Sequence, residues 1–205
     1  MNYRKVVGPV VVALSAGSLL AETLTWTGEE SAVWDLTAVN WTNESGVATA
    51  WVNGSDALFA DDTVDFVSVN ADVELRNMRV AFKGRHFEWR DGGGSFTFVS
   101  EGANSTNTVA LNNDGYHNQL YPRVNCEGVL VKSGYGALVL HNGGNRILGD
   151  IVVTAAQLRF RTSTSLGNGV VSLTISYFSP KCLSFWSIIT SIVLFVAVLF
   201  AISEH

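Results

Sequence analysis

The chain has 205 residues, 47% of them hydrophobic and 15% charged, room for one sizeable domain or two small ones. Its net charge of −5 at pH 7 excludes a protein that seeks nucleic-acid phosphates through a basic surface. Nineteen glycines against three prolines, set among Val, Thr and aromatic runs, point to many short strands joined by tight corners rather than to long helices.

The chain opens on a targeting pattern. Arg4 and Lys5 form a basic start, residues 6–14 an apolar stretch, and Ser18, Leu19, Leu20 and Ala21 a cleavage site, with Gly17 as the competing position. Residues 1–21 therefore read as a signal peptide. Residues 22–60 form a tryptophan-rich module containing Trp26, Trp34, Trp41 and Trp51 and closing on Phe59. Two roles suit it. The indoles cap the open end of a strand stack, covering an edge that would otherwise pair with another chain. Alternatively Trp34 and Trp41 present faces on which a sugar ring stacks.

From 63 to 100 apolar and polar residues alternate in short runs: Val64-Asp65-Phe66-Val67, Val73-Glu74-Leu75, Phe87-Glu88-Trp89 and Phe96-Thr97-Phe98. Their spacing fits the coils of a solenoid or the strands of a sandwich. Gly92, Gly93 and Gly94 make a corner; no helical pattern or lysine follows to suggest a phosphate loop. Residues 103–123, rich in asparagine, read as a loop inserted on the coil. Asn40, Asn43, Asn53 and Asn104 begin Asn-x-Ser/Thr triplets, glycosylation acceptors only in a eukaryotic secretory pathway.

The most ordered pattern follows Gly128. Val129/Val131 and Leu138/Leu140 flank Lys132, Ser133, Gly134, Tyr135 and Gly136, a strand-turn-strand signal. Ile151-Val152-Val153 and Leu158-Arg159-Phe160 add strands on either side of an Ala155-Ala156 corner. Val129, Val131, Leu138, Leu140, Val153, Leu158 and Phe160 are expected to face one core.

This stretch resembles the autotransporter-associated β-strand repeat of exported bacterial proteins. The matching residues are Lys132-Ser133-Gly134, Gly136, Leu138, Leu140, Asn145, Gly149, Leu158 and Leu166-Gly167-Asn168-Gly169. Ala156 stands where that family usually has glycine, a change expected to cost little. The tryptophan spacing is similar to the module that often precedes such repeats. The resemblance covers roughly 26–169 and implies a β-solenoid over 61–174, with one recognisable repeat at 128–169. It also implies a passenger- or adhesin-like role without catalysis.

At Pro180 the character changes. Residues 175–182 read as a linker; the uncharged run 183–202 opens at Leu183, closes at Ile202 and leaves the tail 203–205. Twenty residues at about 1.5 Å each span a hydrocarbon core of ~30 Å, so 183–202 is expected to be a transmembrane helix that brings the membrane in as partner. Lys181 and Trp186 sit where interface anchors belong. The other explanation of this tail is a truncated or frame-shifted passenger.

Chemistry-bearing residues are sparse. His86, His117, His141 and His205 lack ligand-like spacing, and Cys126 and Cys182 are read as free thiols. Asp56, Asp61, Asp62 and Asp65 are the best constellation for calcium or for acid-base chemistry, but read more simply as a solvated turn. Setting aside Arg4, Lys5, Lys181 and Glu204 leaves a charge of about −7 on the part outside the membrane. No catalytic, cofactor or metal residue is expected, and no nucleic-acid partner.

The expected architecture is all-β: a short-strand solenoid, right-handed β-helix-like, with an N-terminal signal segment and a C-terminal transmembrane helix. The expected function is that of an exported, membrane-anchored or secreted cell-surface protein without catalysis, meeting a surface glycan or a host-cell ligand. The alternatives are a carbohydrate-binding or carbohydrate-cleaving β-helix, and a truncated repeat protein with no present role.

Overall fold

The computed structural model describes residues 22–61, 64–99, 105–162 and 164, and the backbone of 171–173. Among these every regular element is a strand. The first turn of chain supplies β1 (Thr23–Trp26), β2 (Val33–Trp34), β3 (Trp41–Thr42) and β4 (Ala48–Thr49). Next come β5 (Ser55–Phe59), β6 (Phe66–Val69) and the long β7 (Asp72–Val80), then β8 (Phe87–Asp91) and β9 (Ser95–Phe98). They are followed by β10 (Thr106–Leu111), β11 (His117–Leu120), β12 (Arg123–Cys126), β13 (Val129–Ser133), β14 (Ala137–Leu140) and β15 (Arg146–Ile147). β16 (Ile151–Val153), β17 (Leu158–Phe160) and β18 (Val171–Leu173) complete the series.

These strands pair in parallel with their counterparts one coil away, giving a β-helix-like stack. β1, β5, the end of β7, β10, β13, β16 and β18 form a first face. β2, β6, β8, β11, β14 and β17 form a second. The start of β7 pairs with β9, and β9, β12 and β15 continue a third face. Among the described residues only β1–β3 and β3–β4 are antiparallel, at the N-terminal end of the stack.

Along the first face Met78, Val109, Lys132, Val153 and Leu173 are successive partners, so one coil takes between 20 and 31 residues. The longest, 78–109, ends inside the stretch 103–123 that the sequence suggests is a loop insertion. That reading is corrected: β10 and β11 lie inside it as ordinary coil strands, and Asn107, Asn113 and Asn118 are buried.

In-register parallel pairing makes aligned residues point the same way, which decides the facing of β13. Lys132 aligns with Val109 and with Val153, both buried, so Leu130 and Lys132 point inward. Val129 and Val131 lie half-buried on the outer side, contrary to expectation. A strand whose inward set includes a lysine defeats a reading based on apolar alternation. Leu138, Leu140 and Val153 are buried in the core, and Leu158 and Phe160 pack against it.

Lys132 is 1% exposed, its stem lying in an apolar row. Its ammonium donates to Gly134 O at 2.6 Å and to Ala155 O at 2.9 Å, tying the corners of two successive coils. Buried asparagines act likewise. Asn107 Nδ2 donates to Arg76 O and Val99 O, both at 2.8 Å. Asn113 and Asn118 pair reciprocally at 2.8 Å and also reach Arg85 O at 2.9 Å and Ala137 O at 3.1 Å. Corner carbonyls that the sheets leave over thus find donors inside the stack.

Two corners constrain the backbone. Gly134 has φ +75°, and a Cβ there would collide with the backbone of Leu111 on the coil beneath. Ala156 has φ +57°, so this alanine adopts the left-handed conformation that glycine takes freely. That conformation costs an L-residue roughly 1–2 kcal/mol, more than the sequence suggested.

Among the described residues no helix is long and apolar enough to cross a membrane. The signal segment 1–21, the linker 175–182, the run 183–202 and the tail 203–205 lie outside them.

Candidate functional site

The tryptophan module turns its rings inward. Trp34 and Trp41 are each 0% exposed, their centroids 4.8 Å apart, and both meet Trp51 at 4.9 and 4.7 Å. Phe59 and Phe96 close the cluster. Neither indole offers a face to a sugar, which corrects the stacking-platform expectation: the energy gained by burying such large rings beside the first coils outweighs any exposed use. Trp51 Nε1 donates to Asn53 Oδ1 at 3.1 Å and to Glu74 O at 3.2 Å. The Nε1 atoms of Trp26, Trp34, Trp41 and Trp89 are buried without a hydrogen-bond acceptor.

Asp56 and Asp65 bind different partners. Asp56 accepts from Asn77 Nδ2 at 2.9 Å and lies 3.8 Å from Arg76, while Asp65 pairs with Arg85. Asp62 is outside the described residues, among which no group of three potential metal ligands occurs. Cys126 is a buried free thiol donating to Gly128 O at 3.3 Å, and burial pushes it up to about 11. Cys182 and His205 also lie outside the described residues.

Two outer surfaces carry functional groups. On the second face, Gln119 Nε2 donates to Glu88 Oε1 at 3.1 Å, and Gln119 Oε1 accepts from Tyr121 Oη at 3.1 Å. His141 Nε2 lies 3.1 Å from the same oxygen, with its ring stacked on Tyr121 at 4.0 Å. Arg90 pairs with Glu88 at 3.0 Å and sits 3.7 Å above the Phe66 ring. His86 Nδ1 accepts the backbone N–H of His117 at 2.9 Å. Burial, then Arg161, pushes His141 down while Glu88 pulls it up. Burial, then Arg159, His86 and Arg161, pushes His117 down. Both imidazoles are therefore neutral near pH 7. A hollow of about 360 Å³ lies beside Arg85, Glu88 and Tyr116, but its charges are already matched in pairs.

On the third face a groove of about 570 Å³ is lined by Thr97, Arg123, Asn125, Glu127, Gly144 and Arg146 among others. Thr97, Asn125 and Arg146 are register neighbours on β9, β12 and β15, and Asn125 Nδ2 donates to Thr97 Oγ1 at 3.2 Å. The ion pairs of the described residues engage Arg76, Arg85 and Arg90, so Arg123 and Arg146 are the cations here without a carboxylate partner.

No family model, no curated protein and no solved structure matches the chain.

None of the groove residues stands out from the sequence. The one signal for them is the coil spacing: Asn125 and Arg146 are separated by the same interval as Lys132 and Val153. Alignment on that interval places them side by side.

Proposed function

We propose that the chain is an exported, non-catalytic β-helix protein of the autotransporter-repeat type, held at a bacterial cell surface and meeting other surfaces through its outer faces. One observation carries this reading. The side chains with hydrogen bonds to offer inside the stack, Lys132, Asn107, Asn113 and Asn118, all reach from one coil to the next, and so serve its length rather than a reaction. Parallel crossovers of this kind wind right-handed in nearly all proteins, and the same hand is proposed here. The charged start of 1–21 supports export, and the uncharged run 183–202 supports an anchor.

The competing reading, a polysaccharide-cleaving enzyme, rests on Glu88 beside Gln119, Tyr121 and His141. Incubation of the full chain with pectin, alginate and similar polymers should release no oligosaccharide. Release that disappears with Glu88→Gln would replace the surface reading by the enzyme.

A further inference from the structure

The third face differs from the second in how its charges are matched. On the second face Arg85 and Arg90 are neutralised by Asp65 and Glu88. On the third, Asp72 of the early coil accepts from Ser95 Oγ at 2.6 Å, and Glu127 stands beside the groove of the later coils. The later coils bring Arg123 and Arg146 to an open groove of about 570 Å³ that Glu127 also lines, yet among the described residues neither arginine forms an ion pair. A chain of net charge −5 has ample carboxylate to pair with them, yet leaves both turned to solvent.

The polar groups between them define the ligand. After donating to Thr97, Asn125 keeps its second amide proton and its carbonyl oxygen, and Thr97 keeps its hydroxyl proton. Such mixed donors and acceptors suit vicinal hydroxyls. Guanidinium forks suit carboxylates. Neighbouring coils lie about 4.8 Å apart, and Arg123 precedes Asn125 by two residues, so the two arginine Cα atoms are separated by roughly 8 Å. That spacing serves two separate carboxylates better than one. Glu127 at the rim repels a densely charged chain more than a sparsely charged one. No exposed aromatic ring lines the groove for a base to stack on, which disfavours single-stranded nucleic acid.

We propose that this groove binds a carboxylate-bearing oligosaccharide, with Arg123 and Arg146 holding carboxylates and Asn125 and Thr97 the sugar hydroxyls. The proposal rests on the surface-interaction reading above and gives it a ligand class.

The test is calorimetric titration of the purified full chain, in neutral detergent, with oligogalacturonate, its methyl ester and a single-stranded oligonucleotide. Oligogalacturonate should bind, less tightly as salt rises. Arg123→Gln or Arg146→Gln should each weaken it about tenfold or more, the scale of a charge-assisted hydrogen bond. Arg146→Lys should recover only part, and Arg85→Gln on the other surface should change nothing. Both groove arginines are exposed, so their variants should melt like the parent. No binding up to about 1 mM, equal binding of the ester, equal or tighter binding of the oligonucleotide, or an equal loss with Arg85→Gln would overturn the proposal. Because binding is read on purified protein, its failure leaves export and display untouched. A chain that binds but never reaches the cell surface would defeat the surface reading alone.

Discussion

Lys132 gives the sharpest test of the interior. Burial pushes its ammonium down to about 8 from an ordinary 10.5. The folded value lies below the unfolded one, so between pH 8 and 10.5 the unfolded chain holds more protons, and folding stability rises with pH across that window. At about 1.4 kcal/mol per unit the gain is at most about 3 kcal/mol, and the two carbonyls at 2.6 and 2.9 Å reduce it by favouring the charged form. Cys126 works the other way: its thiol, raised from 9.0 to about 11, makes stability fall over that range. The clean quantity is therefore the difference between the parent and Lys132→Met, in which the Cys126 contribution cancels. Urea unfolding of the full chain, followed by tryptophan fluorescence at pH 7.5 and 10.5, measures it. The parent should gain about 1–3 kcal/mol on the variant between these pH values. A difference that stays flat, or falls, would mean that Lys132 is in water and that Val131 faces the core.

Gly134→Ala should cost about 3 kcal/mol or more in the same unfolding assay, since it combines a left-handed backbone with a collision against Leu111. Ala156→Gly should stabilise by about 0.5–1 kcal/mol, because relief of the left-handed alanine exceeds the added freedom of the unfolded glycine. Trp34→Ala should cost about 3–5 kcal/mol, as expected of a ring in the core and not of an exposed platform; a cost below about 1 kcal/mol would restore the platform.

The class of fold was legible because glycine-punctuated runs of two-residue alternation leave few architectures other than stacked short strands. Where the reading failed, a physical rule explains the failure. Alternation fixes that neighbours face opposite ways but not which set faces in, so β13 was read inside out until pairing with Val109 and Val153 set its phase. Asparagine in quantity resembles a loop, yet Asn107, Asn113 and Asn118 are buried because stacked corners leave carbonyls in need of donors. Tryptophan is amphipathic, so sequence alone allowed both a cap and a platform; only the burial of Trp34 and Trp41 separates them. The groove on the third face was invisible for another reason. Thr97, Arg123, Asn125 and Arg146 belong to three strands, and coils of unequal length hide their alignment.

The most direct test of an exported, folded surface protein is a labelling experiment on intact bacterial cells producing Tyr135→Cys in a Cys182→Ser background. Tyr135 is 66% exposed at the tip of the repeat corner, while Cys126 is 1% exposed and serves as the internal control. A membrane-impermeant maleimide should label the Tyr135→Cys chain on intact cells and leave the chain that retains Tyr135 unlabelled until it is denatured. Labelling of Tyr135→Cys only after lysis would contradict display at the surface, and labelling through Cys126 without denaturant would contradict the stacked core.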